Sequence, residues 1–194
     1  MNTYDQLRRL FAPYRAGLFA GGGAIREYRR THWFSPVRAL LAEHVRHSGA
    51  QSVIEVGCGE GELACLLRDL GIPDYLGLDT NAARLAKARA VCPEYRFEVA
   101  DVFLTNHLRG ENYDVAVMTG FLEFVRWDLV ALELVRPHRR VLGTVTAGEE
   151  PGRVRQFTSA NQVLDHYSPV LRELHVEPVH LAHGRTAFLF DGIK

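Results

Sequence analysis

The chain has 194 residues, of which 47% are hydrophobic, and its 23 Lys and Arg balance 23 Asp and Glu. That length fits one domain with a sizeable core. Zero net charge supplies no field for a phosphate backbone, so nucleic acid is not an expected partner. No stretch approaches the roughly 18 apolar residues of a membrane span. Met1 to Gln6 lacks a basic region followed by an apolar run, so a cytoplasmic protein without a secretory signal is expected.

Tyr4 to Leu18 carries helical periodicity in Leu7, Leu10, Phe11 and Tyr14, interrupted by Pro13, and Gly21-Gly22-Gly23 breaks it. Tyr28 to Phe34 is dense in aromatic and basic residues. Ser35-Pro36 marks the start of a helix reaching about His47, with Val37, Leu40, Leu41 and Val45 on its apolar face.

Val53-Ile54-Glu55-Val56 then runs as a strand into Gly57-Cys58-Gly59-Glu60-Gly61, and a helical pattern begins at Glu62. A strand, a glycine turn and a helix N-terminus in that order make a nucleotide-type ligand site. Gly57 and Gly59 let the backbone approach a ligand, and Gly61 is expected to let the helix pack near the strand. A dinucleotide fingerprint would place its third glycine at position 62, where Glu62 stands instead. An acid there suits a cationic ligand better than a pyrophosphate.

Further along, Tyr75 to Asp79 reads as a second strand ending in an acid 22 residues beyond Gly57. Such an acid is placed to accept hydrogen bonds from ribose hydroxyls. A third strand, Tyr95 to Val99, leads to Asp101-Val102, and a fourth, Tyr113 to Met118, leads to Thr119-Gly120. Helices are expected at about 61–70, 81–91, 121–135 and 160–167, the last capped by Ser159. Strands at about 139–146, 171–180 and 185–191 complete the pattern. Spacing alone supports an open, mostly parallel α/β domain. Cys58, Cys65 and Cys92 form neither a C-x-x-C pair nor a ligand spacing, so they read as packing residues and no metal is expected.

Glu55-Val56-Gly57-Cys58-Gly59-Glu60-Gly61 resembles the E/D-x-G-x-G-x-G motif of class I S-adenosylmethionine-dependent methyltransferases. The resemblance runs from about Val53 to Val145. It implies a Rossmann-like, doubly wound, mostly parallel seven-stranded sheet with an antiparallel last strand. One domain would then span 1–194, with residues 1–50 as a helical lid and 51–194 as the core. S-adenosyl-L-methionine would be the cofactor and S-adenosyl-L-homocysteine the product. Gly57, Cys58, Gly59 and Gly61 would form its turn, and Asp79, with Thr80 beside it, would hold the ribose. Asp101 and Val102 would face the adenine, while Thr119 and Gly120 would approach the methionine amine, helped by Glu55. Tyr28 or Trp33 would stack near the sulfonium, and Arg29 or Arg15 would pair with the methionine carboxylate.

The acceptor side is less marked. Phe121-Leu122-Glu123-Phe124 resembles a Leu-Glu-His-Ile segment of small-molecule methyltransferases, with Phe124 in place of the histidine. Glu123 is a candidate base or a helix cap, and Phe124 a pocket wall or core residue. Val154 to Phe157 and His166-Tyr167 resemble segments of a subgroup of small bacterial members. Arg155, His166 and Tyr167 are thus acceptor-side candidates or ordinary surface and helix-end residues. His32 is a further candidate base. No N/D-P-P-Y motif and no Pro-Cys nucleophile appears. The expected acceptor is a small molecule, methylated on oxygen or nitrogen. An RNA or protein methyltransferase and a non-catalytic cofactor-binding module are the alternatives.

Overall fold

The computed structural model describes residues 35–105, 113–148, 152–181 and 184–194. Among them, helix α1 (Ser35–His47) leads into strand β1 (Ser52–Val56), then α2 (Glu62–Asp69), β2 (Asp74–Asp79), α3 (Ala82–Val91) and β3 (Arg96–Val99). After β3 come β4 (Val115–Thr119), α4 (Asp128–Leu134), β5 (Arg140–Thr146), α5 (Ala160–Tyr167), β6 (Arg172–His180) and β7 (Thr186–Ile193). The strands form one seven-stranded sheet in the order β3-β2-β1-β4-β5-β7-β6. The first five pair in parallel, and β7 runs antiparallel to both β5 and β6.

Alternation along the strands splits the core in two. Val53, Tyr75, Phe97, Val115 and Val117 face α1, α2 and α3 with Val37, Leu41, Leu63 and Leu85. Ile54, Val56, Leu76, Leu78 and Met118 face the other way, onto Leu132 of α4 and Val163 and Tyr167 of α5. Helices on both faces leave β4 buried throughout and β1 buried beyond Ser52, as a parallel sheet requires. The strand order turns back between β1 and β4, and the crevice outside their carboxyl ends is where such sheets take ligands.

Two expectations change. Helix α1 lies within the 1–50 segment expected as a lid, yet Val37, Leu41 and Val45 are fully buried against the sheet, so α1 is a core layer. The helix expected over 121–135 is also not continuous. A 3-10 turn, Leu122–Phe124, gives way to an extended Val125, and α4 starts only at Asp128. The reason is that the Glu123 carbonyl accepts the amides of Val154 and Arg155, at 2.8 and 3.1 Å, from the loop after β5. A carbonyl bound across the fold in this way is withdrawn from the helical ladder.

Candidate cofactor and acceptor site

The turn after β1 is held in a left-handed backbone at three points, with φ of 77° at Gly57, 58° at Gly59 and 79° at Gly61. The amides of Gly57 and Cys58 both donate to the Leu78 carbonyl of β2, at 2.7 and 3.0 Å. A Cβ on Gly57 would stand 2.8 Å from the Phe121 ring, so the segment after β4 roofs the turn. A Cβ on Gly61 would stand 3.0 Å from Cβ of Ala88 and 3.6 Å from the Phe97 ring, so this glycine makes room for α3 and for β3. Of these three turn glycines, Gly59 is the one where a Cβ would meet nothing within 4 Å. That opening is where a ligand backbone can approach.

The second strand reaches the same place. Asp79 Oδ2 accepts the Gly59 amide at 2.9 Å, and Oδ1 accepts the Asn81 amide at 2.8 Å. Each oxygen keeps a lone pair for a ribose hydroxyl. Thr80 beside it is exposed. Beyond β3, the Asp101 carboxylate accepts the Phe103 amide at 2.9 Å and Val102 is buried. Thr119, the last residue of β4, is buried, and Gly120 beyond it, with φ 57°, donates to Thr144 of β5. These groups stand at the carboxyl ends of four neighbouring strands. Tyr28 and His32, with Arg15, Arg29 and Trp33, lie outside the described residues.

Glu55 points into the α1–α2 face and is buried. Tyr75 donates its hydroxyl to Glu55 Oε2 at 2.5 Å. Desolvation outweighs that bond, and the carboxyl is pushed up to about 7. Arg38 of α1 lies near it and pairs with Glu62 at 3.6 Å.

On the acceptor side, Glu123 is buried, and its Oε1 accepts the amide and hydroxyl of Thr146 at 3.2 and 3.0 Å. Its Oε2 is buried without a hydrogen-bond partner among the described residues. Burial holds this carboxyl above its ordinary value. Arg155, His166 and Tyr167 converge on a residue that sequence reading missed. The buried Asp128 accepts Arg155 through both oxygens, at 3.1 and 3.2 Å, and His166 Nε2 lies 2.8 Å from Oδ2. The Tyr167 hydroxyl reaches the same oxygen at 3.5 Å. One carboxylate therefore ties the start of α4 to the loop after β5 and the end of α5. A polar residue at the start of a helix is an ordinary cap signal, so nothing local in the sequence marked Asp128 as shared. Arg38 and Phe121 were missed for a similar reason, since only packing brings them to the glycine turn. Phe124 is 43% exposed and Trp127 62% exposed, so neither is a core residue. The Arg153 guanidinium sits 5.8 Å from the Phe124 ring centre. Among the described residues no cluster is arranged to hold a metal, and no helix is long and apolar enough to cross a membrane.

The chain matches the family model described as "Methyltransferase domain" over residues 53–143. No curated protein matches it in sequence. Among solved structures it is similar to the N-terminal domain of EvdMO1 with SAH bound, with a TM-score of 0.65 at 15% identity, covering 100% of this chain and 97% of that one. It is similar to the methyltransferase domain of bacterial CtHen1-C, with a TM-score of 0.65 at 17% identity, covering 81% and 97% of the two chains. The [4+2]-cyclase SpnF also superposes at 0.65, with 15% identity over 81% and 80%. These likenesses show the fold, and the family match falls on the glycine turn, Asp79, Asp101 and Thr119. Those residues form an open cradle at Gly59 beside a ribose-type acid, which fits S-adenosylmethionine as the cofactor. Residues 53–143 thus match a methyltransferase domain, on a fold the chain shares with SAH-binding and methyltransferase structures.

Proposed function

We propose that the protein transfers a methyl group to an oxygen or nitrogen atom of an apolar small molecule. One observation carries this reading: apolar side chains are exposed on the loops that follow β3, β4 and β5. Leu104, Phe124, Trp127 and Val154 are all exposed there, at the edge that holds the glycine turn. Exposed apolar groups gathered at one rim are costly unless a ligand or another segment covers them. The N-terminal domain of EvdMO1, also solved in the presence of SAH and D-fucose, and a similar structure from echinomycin biosynthesis support a small acceptor.

The bound cofactor supplies a methyl on a sulfonium with a good leaving group, so the protein's work is positioning and exclusion of water. Gly57, Cys58, Gly59 and Gly61 form the cradle, Asp79 and Thr80 take the ribose, and Asp101 and Val102 face the adenine. Glu55, Thr119 and Gly120 stand at the methionine end. Phe121 and Phe124 border the acceptor, and Asp128 fixes the loop carrying Arg155. Of the candidate bases, His166 is turned toward Asp128, and an ionised Asp128 requires its Nε2 to carry a proton. That leaves Nδ1 as the acceptor atom. Glu123 stands behind the rim with one unpartnered oxygen. In this reading the protein works in the cytoplasm.

The test is product formation. Purified protein is incubated with S-adenosylmethionine and a panel of phenols, alcohols and amines of graded hydrophobicity, and S-adenosylhomocysteine release is measured. Turnover should favour flat apolar acceptors, and Phe124→Ala should raise KM with cofactor affinity unchanged. Turnover on RNA or protein alone would overturn the reading.

A further inference from the structure

Strand β1 carries its acid inward, just before the turn. The Glu55 side chain is enclosed by groups from four directions. Tyr75 on β2 donates to Oε2. Thr119 on β4 lies beside the carboxyl, and Arg38 of α1 and Glu62 of α2 supply charges of opposite sign nearby. Cys58 of the turn is the remaining titratable neighbour. Arg38 is itself paired with Glu62, so its charge is shared. A carboxylate so enclosed, with no cation of its own, is costly. Burial therefore wins and the group titrates near 7.

An ammonium ion brought to this carboxyl reverses the balance, because an opposite charge within about 4–6 Å favours the anion. We propose that Glu55 meets the α-ammonium of the cofactor only as a carboxylate, so that binding expels one proton from the Glu55–Tyr75 pair to solvent. The proposal rests on reading the glycine turn as the S-adenosylmethionine site. The exchange balances: a neutral acid and an ammonium become an ion pair and a free proton, and the charge inside the protein does not rise.

The ligand's own amine sets the upper limit. Free ligand whose amine has lost its proton must regain one on pairing with Glu55. Proton release should therefore fall as pH rises through 7 and give way to uptake only where the free amine is deprotonated.

The experiment is calorimetric titration of the full chain with S-adenosylhomocysteine in buffers of different ionisation enthalpy. About 0.9 protons should be released at pH 6, about half a proton near pH 7 and little at pH 8. Adenosine, which lacks the amine, should release none at pH 6. In Glu55→Gln the release at pH 6 should disappear. Tyr75→Phe, a second variant should the first not fold, removes a bond that favours the anion, so release should persist to higher pH. Binding of S-adenosylhomocysteine without proton release at pH 6 overturns the exchange and leaves the cofactor site standing. Absence of binding at every pH overturns both.

Discussion

The Asp79 carboxylate accepts the Gly59 amide at 2.9 Å. This bond makes the Asp79 carboxylate part of the glycine turn. Asp79→Ala should lose the ribose contacts and also loosen the turn. Hydrogen bonds to a charged group are worth about 1.5–3 kcal/mol each, so S-adenosylhomocysteine affinity should fall at least about 100-fold. Asp79→Asn keeps an acceptor oxygen and should fall less. Calorimetric titration checks both.

Gly57 and Gly59 share a left-handed backbone but differ in what surrounds them. A side chain at either costs about 1–2 kcal/mol of backbone strain. Gly57→Ala adds a clash with Phe121, so it should lower thermal stability more than Gly59→Ala, and Phe121→Ala should restore part of the loss. Gly59→Ala places its methyl in the open cradle and should abolish cofactor binding at a modest cost in stability. Melting curves with and without S-adenosylhomocysteine separate the two effects.

Asp128 is buried, and Arg155, His166 and Tyr167 all turn to it. Removing one member of a buried ion pair costs about 3–5 kcal/mol. Arg155 is partly exposed, so Asp128→Ala should cost about 3 kcal/mol, at the lower end of that range. Asp128→Ala with Arg155→Ala should cost less than the sum of the single changes. A double-mutant cycle in urea measures the coupling.

The Glu55 carboxyl titrates near 7 in the folded protein, against an ordinary value of 4.5. Between those values the folded state holds a proton that the unfolded state has released. Its contribution to stability is fully present below pH 4.5, declines as pH rises to 7 and is flat beyond. The interval is worth about 3 kcal/mol. Urea unfolding of the ligand-free protein from pH 5 to 8 should show this decline, and Glu55→Gln should flatten it.

What could be read from the sequence was what depends on near neighbours along the chain. Gly57, Gly59 and Gly61 sit within one turn, and Asp79 ends, and Asp101 closely follows, strands whose β-type residues are contiguous. Ser159 caps α5 by accepting the Gln162 amide, as its position implies. The interruption at Val125 could not be read, because it arises from Val154 and Arg155, about thirty residues away. The Asp128 cluster joins residues 27 to 39 positions apart. The proximity of Phe121 to Gly57 spans three intervening strands. Pairings of this kind follow from sheet order, which no local periodicity encodes.

Strand β7 follows β6 in the sequence but lies between β5 and β6 in the sheet. During vectorial synthesis, β6 therefore emerges before the strand it must pair with. It remains an unpaired ribbon until residues 186–193 are made. The backbone of β6 includes Pro178 and a register shift between Arg172 and His175, and its exposed positions carry Glu173 and His180. These features disfavour pairing with a second chain during that interval. Strand β7 is thus the keystone of this half of the sheet, and a chain cut after residue 185 would strand β6 as well as lose β7.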